Sequence, residues 1–308
     1  KGRPLCLDWG YHGCMPAWQH SRMDIGGGGK ISEFAALAQA DYVHSEQGGW
    51  DRQILFAKDA DPLGPNYFLI RDSTTGKGTA NWWLWLYTED HPRREGDVIT
   101  VKGRHDVDLD IHLDPASTKL LSWLKRGELQ QKEPKLEANV GDEKKDVDDA
   151  EVEFDLAPEK KDELSPYVRT VELTIGSHGM DAKGNQGMQQ TKQRGLHLIV
   201  PRGQPVVSVL YPRLREAKRP GIRQIADGRG VEIASPRRGG AGTDTDFAFL
   251  ALKPFEFREG DVYIKAKVGL IRLREGEVIL SLPAGGEIGY GKHNLASEKP
   301  ESRRFPAR

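Results

Sequence analysis

Residues Val107–Leu113 read Val-Asp-Leu-Asp-Ile-His-Leu, an alternation of apolar and polar side chains without a break. A period of two is that of an extended strand, whose successive side chains point to opposite faces. Val107, Leu109, Ile111 and Leu113 therefore share one face, and Asp108, Asp110 and His112 share the other. This predicts a sheet with one buried and one wet face. Short runs of the same kind recur at Asp51–Lys58, Asn66–Ser73, Ala80–Tyr87 and Asp97–Val101. They resume at Thr170–Ile175, Gly195–Val200, Pro205–Leu210, Gly230–Ala234, Asp246–Leu252 and Val262–Val268. Turn-forming clusters such as Pro62-Leu63-Gly64-Pro65 and Gly76-Lys77-Gly78 punctuate them. Leu270–Arg274 and Glu277–Leu282 read as a hairpin turning at Glu275-Gly276. Pro115–Arg126 is the one short helical candidate. With 35 Gly and 18 Pro in 308 residues, the pattern predicts an all-β chain built as a large antiparallel multi-sheet β-sandwich.

Residues 1–124 form the first part of that sandwich in this reading, and 166–291 the remainder. Between them, 125–165 carries 14 acidic and 8 basic side chains with few aliphatics, which predicts an exposed, mobile insertion. Residues 292–308 are charged and Pro-containing, and are expected to fray. At the other end, Lys1–Asp8 reads as a strand already under way, without initiator Met or signal peptide, so further residues are expected upstream.

The charge balance is 45 basic against 46 acidic residues, so no global field favours nucleic acid or an anionic membrane. No stretch approaches the roughly 18 unbroken apolar residues of a membrane span. Cys6 and Cys14 lack zinc-knuckle spacing, and either a pair or two buried thiols fits them. Gly26–Gly29 precedes Lys30-Ile31-Ser32, but a strand-like signal follows where a phosphate loop needs a helix. Trp82, Trp83 and Trp85 fall on both faces of one strand, which predicts core packing over a sugar platform. His178 falls in a Gly-flanked loop and His197 inside a strand, neither with a visible partner.

Asp8 ends the opening apolar run and His20 follows twelve positions later. A carboxylate at a strand end and an imidazole can supply two ligands of a metal site, with His12 as the rival; a hydrogen-bonded pair is the simpler reading. Arg22 and Arg52 offer planar forks for a carboxylate or sulfate. Tyr42 offers a phenol suited to acid or base work. For all three, a structural hydrogen bond or ion pair is the competing assignment.

The order of several segments resembles the heparinase II/III-like polysaccharide lyases. Gly2–Gly10 (GRPLCLDWG) is similar to a strand of that family, and Gln19–Ile25 (QHSRMDI) to its following segment. Asp41-Tyr42-Val43, Arg52–Phe56, Tyr67–Asp72, Val209–Arg213 and Asp227–Val231 then follow in the family's order. The resemblance spans roughly residues 2 to 282. It implies the C-terminal sandwich of a lyase whose (α/α) toroid comes first, acting by β-elimination on an acidic, uronate-containing polysaccharide such as a glycosaminoglycan or alginate. It further implies a periplasmic or secreted protein. Asp8 and His20 match two ligands of the family's sandwich metal, so zinc or a calcium-like divalent ion is expected there. The third ligand and the catalytic histidine are expected upstream of Lys1, leaving no catalytic residue in this chain. Arg22, Tyr42 and Arg52 are then substrate-binding candidates. Trp9 and Ser21 depart from the family pattern. The reading from a different class is a non-catalytic carbohydrate-binding or scaffold sandwich.

Overall fold

The computed structural model describes residues 21–23, 25, 28–86, 88, 92–95, 97–103, 106–114, 168–180, 186–237 and 242–307. In 168–180, 186–195, 197 and 199 it describes the backbone alone. Among these residues there is no α-helix, and the chain forms three antiparallel sheets. The all-β, multi-sheet architecture read from the alternation is the one observed.

Four strands open the described chain as a meander: β1 (Gly29–Ala36), β2 (Ala40–Gln47), β3 (Trp50–Ala57) and β4 (Tyr67–Thr74). The β2–β3 link is a two-residue turn, Gly48-Gly49, with both residues at positive φ (52° and 89°). Two consecutive left-handed residues match the right-handed twist of the flanking strands, and glycine adopts them without a Cβ clash. β5 (Thr79–Leu86) leaves this sheet for a second one. β6 (Arg93–Glu95), β7 (Val98–Val101) and β8 (Val107–Leu113) return to its far edge. β9 (Val168–Met180) and β10 (Gln186–Pro201) join β5 in a three-stranded outer sheet of order β5-β10-β9. β11 (Val206–Leu214) then inserts between β4 and β8, closing an eight-stranded central sheet of order β1-β2-β3-β4-β11-β8-β7-β6.

The rest is a C-terminal sheet: β12 (Gly221–Ile225), β13 (Gly230–Pro236), β14 (Thr243–Glu259), β15 (Val262–Arg274) and β16 (Glu277–Leu282). β17 (Gly286–Tyr290), β18 (His293–Ser297) and β19 (Glu301–Pro306) complete it. β15 and β16 form the expected hairpin, with Arg274 opposite Glu277 and Gly276 at φ 72°. The tail from 292 does not fray. β18 pairs with β17 and β19 with β16, because Leu295 and Phe305 bring apolar side chains to the sheet between charged ones.

The central sheet is covered on both faces. One face packs on the outer sheet: Trp50, Ile99, Ile111 and Leu210 meet Trp82, Leu84, Leu86, Leu196 and Leu198. The other packs on the C-terminal sheet, where Tyr42, Leu55, Tyr67, Leu69 and Val209 meet Val231, Ile233, Leu250 and Leu270. A third core lies within the C-terminal sheet, around Phe249, Ile264, Val278, Leu280 and Ile288. A Cβ on Gly269 would come within 2.7 Å of the Ile264 and Ile288 Cδ1 methyls, so a larger residue there would force these two buried side chains to shift.

Two expectations need correction. Asp108, Asp110 and His112 do not lie on a wet face, since all seven residues of β8 are buried. β11 and the turn after it bring arginines over that face. Arg213 donates Nε to Asp110 at 2.5 Å, Thr100 donates to the same carboxylate at 2.7 Å, and Arg215 donates Nε to Asp108 at 3.1 Å. The acids alternate as the sequence requires, but their cover comes from about a hundred residues later. Second, His178 lies in β9, paired with Met188, and not in a loop. Between β12 and β13, Ala226 and Asp227 hold φ of 54° and 53° ahead of Gly228 at 76°, a left-handed turn that non-glycine residues rarely adopt. The insertion 125–165, Pro115–Arg126 and both cysteines lie outside the described residues.

Candidate functional site

The side chains singled out from sequence meet different fates. Asp8, His12 and His20 lie outside the described residues. What is described is the segment after His20, Ser21–Met23, which is strapped along β5. Met23 bridges Trp82, Trp83 N–H donates to the Arg22 carbonyl at 2.8 Å, and Trp85 N–H donates to Ser21 Oγ at 3.0 Å.

Arg52 anchors that strap and one carboxylate. It donates through Nη1 to the Ser21 carbonyl at 2.6 Å, and through Nε and Nη2 to Asp72 at 2.7 and 2.9 Å. Asp72 is fully buried, and also accepts Trp50 Nε1–H and Trp82 Nε1–H, each at 2.8 Å. Four donors thus converge on one carboxylate between the central and outer sheets. Arg22 donates to the Ile25 carbonyl at 2.7 Å and to Gln47 Oε1 at 2.9 Å. The guanidinium carbons of Arg22 and Arg52 each lie 5.0 Å from the Trp50 ring centroid. Both arginines are therefore committed to the protein's own groups: Arg52 to a buried carboxylate that would be left uncompensated without it, and Arg22 to a carbonyl and an amide oxygen, each beside the Trp50 indole face.

Tyr42 is 1% exposed, within the core between the central and C-terminal sheets. Its hydroxyl accepts Gln53 Nε2–H at 2.9 Å. Burial pushes the phenol well above its ordinary range, with the Glu33 carboxylate adding to the effect, so its proton is held tightly. A surface base or acid needs neither feature. Tyr42, Arg22 and Arg52 thus take the structural assignment.

The aromatic strand is also core. Trp82, Trp83 and Trp85 are between 1% and 3% exposed, with Trp83 and Trp85 stacked at 5.7 Å. No aromatic platform faces solvent on β5.

Among the described residues, an opening sits at the β2–β3 hairpin end. Gly28, Lys30, Glu46, Gly48, Trp50 and Asp51 line an open pocket of about 410 Å³. Beside it, three ligand-type side chains share one face. His44 and Glu46 are two apart on β2, and Asp51 on β3 pairs directly with Glu46. The strand pleat puts all three on the same side. Their imidazole nitrogen and carboxylate oxygens all lie within 4.8 Å of one another. His44 Nε2 is 3.0 Å from Asp51 Oδ1. Lys30 Nζ reaches Glu46 at 3.1 Å across the β1 edge, and Lys30 with the Ser32 hydroxyl holds the Glu46 carboxyl below its ordinary range. His44 is buried, while Glu46 and Asp51 reach partly into the pocket. Sequence reading missed this trio, although the signal is present: His-x-Glu, then a Gly-Gly turn, then Asp at the position facing the Glu.

A second charged cluster ties the sheets together. Arg272, fully buried on β15, contacts Asp246 at 3.1 Å and Asp59 at 3.4 Å. It also donates to the Pro65 carbonyl at 2.6 Å, to Gln39 Oε1 at 3.1 Å and to the Lys58 carbonyl. Arg274 shares Asp246 at 2.6 Å. Every contact is internal, so the cluster clips the β3–β4 loop to the C-terminal sheet. Among the described residues no helix is long and apolar enough to cross a membrane. No protein-family model matches this chain, and no curated protein matches it.

Proposed function

We propose that this chain is the C-terminal sandwich portion of a heparinase II/III-like polysaccharide lyase, acting on an acidic, uronate-containing polysaccharide in the periplasm or outside the cell. The observation that supports the reading is the order of the family-like segments along the chain, four of which fall in one sheet. Asp41–Val43, Arg52–Phe56, Tyr67–Asp72 and Val209–Arg213 lie on β2, β3, β4 and β11, which are consecutive neighbours in the central sheet. Asp227–Val231 instead falls on the turn after β12 and on β13, in the C-terminal sheet, and consecutive strands of a meander adjoin in any case, so the family's order along the chain is what supports the reading.

In the proposed reaction a base removes the C5 proton of the uronate, electrons form the C4–C5 double bond, and the C4–O bond breaks as its oxygen takes a proton. The carboxylate must be neutralised while enolate charge develops, so donors must surround it. The described residues do not include that machinery: Tyr42 is buried, and Arg22 and Arg52 are engaged. On this reading the base and acid belong to residues before Lys1, and Asp8 and His20 hold a zinc or calcium-like ion beside them. The role of the described sheets is to supply a rigid wall, for which a centre buried on both faces is suited.

The 308-residue chain is expected to generate no unsaturated uronate absorbance from alginate, chondroitin, hyaluronan or heparan sulfate, whereas the complete gene product is expected to do so with one of them. Failure of the complete product on every uronate polymer would sink the proposal, and elimination by the 308-residue chain would overturn the assignment of the base upstream. The reading as a sugar-binding sandwich loses its main support, since the Trp82–Trp85 rings it would use are buried.

A further inference from the structure

We propose that His44, Glu46 and Asp51, residues other than Asp8 and His20, form a divalent transition-metal site of zinc type at the β2–β3 hairpin. The argument rests on geometry and is independent of the polysaccharide reading.

Zinc bound by imidazole and carboxylate has bonds of about 2.0–2.2 Å, so two ligand atoms of a tetrahedron stand roughly 3.3–3.5 Å apart. His44 Nε2 and Asp51 Oδ1, at 3.0 Å, already stand close to that separation. Glu46 completes a trio whose atoms all lie within 4.8 Å. Its side chain is 38% exposed and held by Lys30, itself 71% exposed, and by the Ser32 hydroxyl, so a rotamer change that gives up these two surface contacts brings the third ligand in. An exposed ion pair of this kind offers little resistance. The other two ligands have only to part by roughly 0.3–0.5 Å to reach that separation, since neighbouring positions on one face of the hairpin already bring them into contact.

The ligand chemistry is selective. One nitrogen and two carboxylates suit zinc, manganese or cobalt, whereas calcium and magnesium prefer oxygen ligands alone. Glu46 and Asp51 also line the adjoining pocket, so coordination positions left by three protein ligands would open toward it for water or an anionic group.

A second observation points the same way. Gln53 is the cross-strand partner of His44 and is fully buried. Its Nε2 is used by Tyr42 Oη and the Ala251 carbonyl, but its Oε1 is buried with no hydrogen-bond partner. A neutral imidazole donating from Nε2 to Asp51 has only a lone pair left on Nδ1. Metal on Nε2 reverses this, placing the proton on Nδ1, and a metal-bound histidine ordinarily gives that proton to a nearby acceptor. Gln53 Oε1 is the unused acceptor on the neighbouring position of the same face.

The test uses Zn²⁺ alone on the 308-residue chain after dialysis against EDTA, with titration calorimetry and bound-metal analysis. Expected is a bound ion that His44→Gln and Asp51→Asn abolish and Glu46→Gln weakens at least tenfold. A His20→Gln control should leave this binding in place. Unfolding midpoints in EDTA report whether each variant is folded, and Glu46→Gln, at a half-exposed position, keeps the test valid if His44→Gln is not. Absence of Zn²⁺ binding by the parent chain, or binding that survives Glu46→Gln and Asp51→Asn unchanged, overturns the proposal. So does loss of binding in His20→Gln alone.

Discussion

Asp72→Ala is the most informative single perturbation of the described fold. Asp72 is completely buried and accepts four hydrogen bonds, two from Arg52 and one each from the Trp50 and Trp82 indoles. Truncation leaves Arg52, whose side chain is 16% exposed, without its counter-charge. Breaking a buried pair from one side costs about 3–5 kcal/mol. Each indole N–H left unsatisfied adds roughly 1–3 kcal/mol, less whatever water entering the cavity recovers. These terms overlap, and a total of about 5 kcal/mol is expected, comparable to the lower end of a typical domain's whole stability. Equilibrium urea unfolding followed by tryptophan fluorescence measures it directly, since two of the indoles report on the site. A double-mutant cycle with Trp82→Phe isolates the link between sheets and should give a coupling of about 1 kcal/mol or more. A loss below about 1 kcal/mol for Asp72→Ala would refute the reasoning. It would return Arg52 to the pool of ligand-binding residues.

Other outcomes follow from the same contacts. Arg272→Ala should cost about 3–5 kcal/mol in chemical denaturation, because Asp246 and three carbonyl or amide acceptors lose a fully buried partner. Burial holds His112 below its ordinary value of 6.5, against the opposing pull of Asp97 and Asp114. The unfolded chain then binds the proton more readily than the folded one. Stability should fall as pH drops through about 6.5 and below, and His112→Phe should flatten that slope in a pH series of unfolding midpoints. Gly286→Ala should destabilise by roughly 2–3 kcal/mol, since φ is 114° and the new Cβ would stand 2.5 Å from the Ala266 Cβ; thermal denaturation checks this. Ala226→Gly should stabilise by about 0.5–1 kcal/mol, read as a slightly higher melting midpoint, because it relieves a left-handed alanine at φ 54°.

The sequence carried most of the strands and little of the pairing. Val107–Leu113 and the Leu270–Leu282 hairpin were legible because alternation and turn chemistry are local. β2 was not, since Ala-Asp-Tyr-Val-His-Ser-Glu-Gln mixes polar groups on both faces, and only contact with the C-terminal sheet makes its Ala40, Tyr42 and His44 side buried. Missing that strand hid two things at once. It left Tyr42 looking like an available phenol, and it concealed that Glu46 and Asp51 face each other. Arg52 looked free because its acceptor, Asp72, comes twenty residues later on β4. Asp110 looked solvated because Arg213 comes over a hundred residues later on β11. Facing is a property of one segment, whereas covering and charge pairing are properties of the whole topology.

The central sheet, closed on both sides, has a consequence for how such a chain can diverge. A strand with one wet side can exchange half of its residues with little effect on the fold. β4 has no such half: Tyr67 and Leu69 serve one core, while Phe68 and Ile70 pack against the other. Substitutions should therefore accumulate at the sheet's rim and in the loops, while β4 and β11 change only through volume-conserving exchanges. Among distant descendants of one ancestor, these interior strands would be the last stretches still recognisable by residue identity.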